Sequence, residues 1–419
     1  MAASDLRVAL RTRIVSGRLM LDMALASARP GDHIVLADGT YSGSTLTIAA
    51  NGTAQHPIVI RAANRVQLSA AGAVTVSGAR IRHRIAVSGN DVWLYGLNFD
   101  GVDWHEGQHY VTLSGTRNVV KRCRIHAWKG RCVLVSNGST YARVSRNDMT
   151  VKDFSDLSGL TADQVDVHPT RNRTGVFIEP QSQYCEIDYN HFHDFPPGIA
   201  PYGTTKASPI LCGEGSATQI RSQYAHVHHN LFRKCEYGAS FDATAFEIKG
   251  SDNLVELNTW LDCKGHVTSR QGVRNRFIAN WIKNNTRAMR MFDADHELVG
   301  NVLENCPAGI QIMAGSVPWD APHARKNDRY PQAQNVLLAG NRRVGSSGAF
   351  LRVGTTFSGR DPTTLPALNT RIEGWDASKG PIAYGRHLGT RGPTPRTQES
   401  WPQAELLTAA QVGLDSGLL

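Results

Sequence analysis

The sequence predicts an all-β fold: a single-stranded right-handed parallel β-helix, a solenoid of short coils, with a helix capping its N-terminal end. Three observations carry this reading. A motif centred on Asn recurs along the chain, apolar and polar residues alternate over runs of four to six, and Gly, Asn and Asp stand at the corners between runs.

The motif is an apolar residue, two others, Asn, one other and a second apolar residue. It reads "VSRNDM", "IDYNHF", "VHHNLF", "VELNTW", "FIANWI" and "LVGNVL", centred on Asn147, Asn190, Asn230, Asn258, Asn280 and Asn301. Cys123 takes the Asn place in "VVKRCRI", and "LLAGNRRV" continues the series loosely at Asn341. The shorter intervals define a unit of about 20 to 28 residues, too short for a helix pair. The gaps from Asn147 to Asn190, Asn190 to Asn230 and Asn301 to Asn341 hold two units, or one unit with an inserted loop. Stacked coils place equivalent residues about 4.8 Å apart, so buried Asn amides can bond to one another. Five residues beyond the Asn, Cys235, Cys263 and Cys306 form a second ladder of small buried side chains.

At the N-terminus, "SGRLMLDMALASARPGD" offers Ser16 as a cap, a helix-forming run and a Pro-Gly stop. The expected organisation is a cap over 1–30, the β-helix over 31–359 and a tail over 360–419 packed along the outside, because the pattern dissolves into Pro, Thr and Gly. Two long segments, 151–175 and 316–334, interrupt the coils and are expected to wall a binding groove.

Of 419 residues, 41% are hydrophobic, enough for a large core. Lys and Arg number 45 against 36 Asp and Glu, a net +9 that favours a polyanionic partner. Nucleic acid, an anionic lipid surface and an acidic polysaccharide all satisfy it. The basic stretches "RIRHR" (80–84) and "KRCRIHAWKGR" (121–131) read as solvated strand faces. No apolar run of membrane-spanning length occurs. The N-terminus has no basic start, apolar block and small-residue cleavage site, so the protein stays inside the cell or a signal has been removed. Seven cysteines show no CxxC pair and no Cys/His spacing suited to zinc, which argues against redox or metal chemistry at sulfur.

Three cations stand where strands precede the repeat Asn: Lys249 in "FEIKG", Arg270 in "HVTSRQ" and Arg290 in "AMRMF". One coil per step predicts a column of the three on one face. Phe246 and Ile248 then point inward and Lys249 outward. Like charges at strand spacing repel; a bound polyanion would compensate, and the crowding should lower the proton affinity of Lys249. Glu247 joins the column as an ion-pair partner. His191, His193, His228, His229, His266 and His296 read as hydrogen-bonded residues beside strands, with His266, in the Arg270 strand, keeping a claim on substrate.

The segments "ALASARPGDHIVLADGTYSGSTLTIAANGTAQHPIVIRA" (24–62) and "VWLYGLNFDG" (92–101) resemble the entry region of polysaccharide lyase family 6, the alginate lyase and chondroitinase B family. "FEIKGSDNLVELNTWLDCKGHVTSRQGVRNRFIANW" (246–281) is similar to its catalytic region, where Lys-Ser-x-x-Asn is followed one coil on by Arg-His-Gly. "RAMRMFDADHELVGN" (287–301) resembles its next coil and "LLTAAQVGL" (406–414) its ending. The resemblance implies a right-handed parallel β-helix that cleaves a uronic-acid polysaccharide by β-elimination, alginate first. Lys249 maps on the family's base and Arg270 on its acid, acting directly or through water; Arg290 would hold a carboxylate, with Gln271, His266 and Glu247 in contact with substrate. The family's Arg-His-Gly is Arg270-Gln271-Gly272 here.

Many members bind Ca2+ through two glutamates five and seven residues before the lysine and an asparagine on an earlier coil. Those positions are Thr244 and Asp242, and the earlier coil reads "PILCG". Only Asp242 keeps a carboxylate, so Ca2+ is expected to be absent or dispensable and no other cofactor is expected. The resemblance also implies a secreted or periplasmic protein. A monomer without nucleic-acid or membrane partners is expected. The competing readings are a chondroitin or dermatan sulfate lyase, a C5 epimerase, a hydrolase forced onto Asp242 and Glu247, and a non-catalytic polysaccharide-binding β-helix.

Overall fold

In the computed structural model the repeat Asn side chains are buried in one continuous file. Asn147 Nδ2 donates to Asn190 Oδ1 at 2.9 Å, Asn190 to Asn230 at 3.0 Å, and Asn230 to Asn258 at 3.0 Å. Asn258 donates to Asn280 at 3.1 Å, Asn280 to Asn301 at 2.9 Å, and Asn301 to Asn341 at 2.9 Å. Each acceptor oxygen also takes the backbone N–H of the Asn before it, and Asn147 Oδ1 takes that of Cys123. The bonds join consecutive members directly. The three long intervals are therefore single coils with inserted loops.

The structure describes residues 8–64, 67–68, 74–75, 78–100, 109–161, 163–164, 172–197, 206–213, 223–235, 244–287, 289–318, 330–345, 348–356, 365–374, 381–394, 404–408 and 411–412. Each coil between the ends contributes one strand to each of three parallel sheets, of 14, 11 and 12 strands among the described residues. One coil shows the plan: Thr244–Ile248 lies in the twelve-strand sheet, Leu254–Glu256 in the fourteen-strand sheet and Thr259–Leu261 in the eleven-strand sheet. The next coil repeats it with His266–Ser269, Arg276–Ile278 and Trp281–Lys283, each paired parallel to its counterpart, with one irregularity between Thr244 and Phe246. This is the predicted right-handed parallel β-helix.

The corner between the fourteen- and eleven-strand sheets is two residues long, and the ladder Asn is its second. Its first is left-handed in coil after coil: Arg146, Tyr189, His229, Leu257 and Ala279 have φ of 56°, 54°, 52°, 54° and 51°. That conformation costs a non-glycine residue about 1 to 2 kcal/mol, offset by the ladder bonds. Inside the coil, Phe192, Phe232 and Trp260 stack at ring separations of 5.1 and 4.8 Å. The seven cysteines are free and buried, and Asn285 fills the Cys place of its own coil. Burial pushes the thiols of Cys123, Cys185 and Cys306 up to about 12, so they act as inert packing groups.

The cap is a helix, α1 (Arg18–Ala26), which buries Leu21, Ala24 and Leu25 against the first coil. Its N-cap is Gly17 at φ 78°, not the expected Ser16, whose hydroxyl lies 3.5 Å from Met20 Sδ. A strand ahead of it, Arg11–Val15, opens the fourteen-strand sheet. The expected boundary at 359 also moves. Arg371–Glu373, Ile382–Tyr384 and Arg391–Thr394 pair as further strands, so coils continue through Thr394. Beyond them, Ala404 packs on Ile278 and Val302, and Leu407 and Val412 pack on Leu231.

Removing one rung of the ladder tests its weight. Asn258→Ala strips a donor from Val227 O and Glu256 O and an acceptor from Asn230, leaving buried groups unpaired. It should cost about 2 to 4 kcal/mol in urea unfolding, whereas Asn64→Ala, at the exposed Asp38 pair, should cost under about 0.5 kcal/mol.

Candidate active site

Two cations on successive coils meet at one carboxylate oxygen. Glu247 Oε1 lies 3.9 Å from Lys249 Nζ and 3.5 Å from Arg270 Nη1. The twelve-strand sheet explains this. Ile248 pairs with Ser269, so Lys249 and Arg270, the next residue on each strand, stand level one coil apart. Phe246 and Ile248 belong to the core, which by alternation turns Glu247 and Lys249 outward together. Glycine keeps the backbones close at this level: a Cβ on Gly272 would sit 2.0 Å from Gly250 O.

Arg290 does not complete the predicted column. It pairs with Thr268, and so stands level with Glu247, two residues short of Arg270. The coil here is longer than the count from one cation to the next implies, with Thr268 and Arg290 22 residues apart. The residue level with Arg270 is Phe292, and the Arg290 guanidinium carbon lies 5.5 Å from the centre of that ring. The long side chain thus leans back toward the Lys249 and Arg270 level.

Tyr330 was not singled out in the sequence. It closes the second inserted segment and covers Arg270: its ring lies 4.8 Å from the guanidinium carbon, and its hydroxyl accepts a hydrogen bond from Nη2 at 3.2 Å. Phe292 packs against Tyr330 at 5.2 Å, making an aromatic wall beside both arginines. The groups are deeply placed, with Lys249 7%, Arg270 5%, Glu247 2% and Arg290 1% exposed. His266 lies at the start of the Arg270 strand, level with Thr244, and Gln271 is wholly buried. His296 is a core residue. One ring nitrogen takes Asn275 N–H at 3.2 Å, the other faces Phe292 O at 2.7 Å, and burial holds its pKa below the usual imidazole value.

The sequence model of the chondroitinase B family matches residues 15–373. The chain belongs to that family, within polysaccharide lyase family 6. Solved structures agree on the fold. The family 6 alginate lyase AlyGC superposes at TM-score 0.70 with 18% identity over 91% of this chain, and the chain spans 50% of that protein's length. A family 6 polysaccharide lyase from Pseudopedobacter saltans gives 0.66 at 14% identity over 96% of this chain and 99% of its own. A family 6 alginate lyase in complex with a trisaccharide gives 0.61 at 16% identity, covering 88% and 80%. Among curated protein sequences none matches.

The family's calcium positions bear on this member directly. Ca2+ takes six to eight oxygens, several from carboxylates. Thr244 brings a hydroxyl to its position, 3.4 Å from that of Ser208 on the preceding coil, and Asp242 lies outside the described residues. Glu247 is shared by Lys249 and Arg270. Of the two glutamate positions, the described one, Thr244, offers a hydroxyl and no carboxylate.

A buried carboxylate between two buried cations leaves both exposed to desolvation cost when it is removed. Glu247→Gln should lower unfolding free energy by about 3 kcal/mol, read by chemical denaturation, against a shift of under about 1 kcal/mol for Arg274→Gln in the exposed pair with Asp252.

Proposed function

We propose that this family member cleaves a uronic-acid polysaccharide, alginate first, by β-elimination, with Lys249 as base and Arg270 as acid. One observation carries the reading: Lys249 and Arg270 stand level on adjacent coils, both against Glu247 Oε1. A single sugar ring at that level can meet an amine and a guanidinium at once.

The chemistry needs both. The proton on C5, beside the uronate carboxylate, passes to Lys249 Nζ; the C5–H electrons form the C4–C5 double bond, and O4 leaves with a proton supplied by Arg270. Lys249 is 7% exposed, so its amine meets the sugar out of bulk water. Charge building on the carboxylate as C5–H breaks is answered by fixed guanidinium groups, which cost no reorganisation in a site screened from water. Arg290, leaning over Phe292, would hold that carboxylate, and Glu247 and Tyr330 hold Arg270 in place. His266 keeps the substrate role expected of it, whereas Gln271, wholly buried, has no surface to offer a substrate. The work Ca2+ does for many relatives falls here to the arginines. A secreted or periplasmic location suits a polymer of this kind.

Alginate is supported by two of the structural neighbours, which are alginate lyases. The family's own name supports a second substrate, chondroitin or dermatan sulfate. Incubation with polymannuronate, polyguluronate, chondroitin sulfate and dermatan sulfate separates them. A rise in ultraviolet absorbance from the new double bond identifies the substrate; altered C5 configuration without absorbance would indicate an epimerase, and binding without either change a non-catalytic module. Lys249→Ala should lower kcat at least about 1,000-fold with KM changed far less, and an undiminished rate would remove this mechanism. The wild-type rate should be the same with EDTA as without; loss on chelation and recovery with Ca2+ would show that the arginines do not stand in for the ion.

A further inference from the structure

A second cluster of chemical groups lies on another face, the outer surface of the eleven-strand sheet. Asp148, at the start of Asp148–Val151, is met by ring nitrogens from the coils on either side. His126 Nε2 is 2.5 Å from Oδ2, His191 Nδ1 is 3.2 Å from Oδ1, and His193 Nε2 is 3.1 Å from Oδ1. Three consecutive coils supply these groups. Arg124 pairs with Asp148 and Asp148 with His191, while His126 and His193 lie two residues farther along the same outward face. An irregularity between Ile125 and Trp128 interrupts the pairing beside His126, the kind of bulge that re-aims a side chain.

The donor set is three imidazoles and one carboxylate, which suits Zn2+ and its neighbours in the transition series and does not suit Ca2+. Asp148 is 3% exposed and the three rings 13 to 19%, so the pocket is screened yet reachable. The outer contacts add a second indication. His193 Nδ1 lies 2.7 Å from Asp194 Oδ2, a carboxylate behind the ring, while Nε2 faces Asp148. This is the way a ligating histidine is commonly oriented from behind. Three rings around one carboxylate are held either by protons on the ring nitrogens or by one cation that the groups share. Zinc bonds of about 2.0 to 2.1 Å place ligand atoms about 3.3 Å apart. The ligand atoms of His126, Asp148 and His193 all lie within 4.8 Å of one another, close enough for small rotations of the rings and the carboxylate to gather them around one ion.

A comparable group on the fourteen-strand sheet, Glu186, Asp188 and His228, is already answered. Arg143 donates to both oxygens of Asp188 at 3.0 and 2.6 Å and lies 3.4 Å from Glu186. A fixed guanidinium there excludes a metal cation.

We propose that His126, Asp148, His191 and His193 bind one divalent transition-metal ion of the zinc class, which ties three coils together across the eleven-strand sheet, apart from the Lys249 and Arg270 site. The test is titration of Zn2+ alone into the tag-free full chain after EDTA treatment and dialysis, followed by calorimetry. One Zn2+ per chain is expected, with proton release on binding, and Co2+ in its place should give the visible absorption of a four-coordinate site. His126→Gln and Asp148→Asn should each weaken Zn2+ binding at least about 10- to 100-fold, while Lys249→Ala and His228→Gln leave it unchanged. Absence of stoichiometric binding to the wild-type chain overturns the proposal, and that measurement decides it even if a variant fails to fold. Equal affinity in the His126→Gln, His193→Gln double variant, or loss of binding in His228→Gln, overturns it as well. Lyase activity is not the readout, so the outcome is independent of the elimination mechanism.

Discussion

The bond from one buried Asn amide to the next is the constraint on which this molecule depends. It holds a left-handed residue at the tightest corner of coil after coil and satisfies backbone N–H groups that the corner leaves without a strand partner. With that corner fixed, strands on either side stay in register, because a slip of one residue would turn every inward side chain outward. The insertions before Asn190, Asn230 and Asn341 lengthen their coils without shifting the ladder. A solenoid built this way converts sequence position into a grid, with coil number along one axis and strand position along the other. Function is then a matter of which residues share a grid line.

Lys249 and Arg270 share one, and Glu247 makes the arrangement tolerable. Two cations at the roughly 4.8 Å spacing of neighbouring strands repel, and burial raises the cost of each charge. A carboxylate that both can reach compensates that repulsion without occupying the space between the head groups and solvent. Tyr330 and Phe292 contribute differently. They offer ring faces to the arginines, a contact that keeps a guanidinium in place while leaving its edge donors available. The site combines a fixed anion, two placed guanidinium groups and an aromatic wall made of Phe292 from the coil and Tyr330 from the inserted segment.

Much of this was legible in the sequence, for a physical reason. The ladder Asn both donates from Nδ2 and accepts at Oδ1 in coil after coil, so it leaves a periodic trace. Lys249, Arg270 and Glu247 were placed on one face from alternation and coil length. Arg290 was not, because the count ran from charge to charge when the register is set by strand pairing, and the corner from Ser269 to Arg276 is one residue longer than the matching one from Ile248 to Leu254. The last coils escaped notice because Ile372 and its neighbours pair through backbone groups, with no ladder Asn to mark them. Ser16 was preferred over Gly17 on cap chemistry, while the chain enters α1 with a φ of 78° that favours glycine. The imidazole cluster sits on fixed motif positions, Asp148 and His191 one residue after the repeat Asn and His126 and His193 three residues after Cys123 and Asn190, but they become neighbours only because the interval from Asn147 to Asn190 is a single coil with an inserted loop.

The two faces are built to act separately. Phe192, whose flanking residues are His191 and His193, stacks on Phe232, and Phe232 and Trp260 both touch Phe246, the residue before Glu247. A continuous aromatic core thus joins the floor of the imidazole cluster to the floor of the cation pair. Continuity of packing is not coupling, however: coupling requires an element with two arrangements that both sites bias, and a core of interlocked rings flanked by a bonded amide ladder has one. In a solenoid each coil answers mainly to its neighbours, so stability is close to a sum over adjacent pairs. The cation pair lies on the coils that begin at Thr244 and His266, and the imidazoles on coils nearer the N-terminus, so an ion bound at Asp148 would stiffen its own three coils and leave the geometry around Glu247 as the ladder sets it.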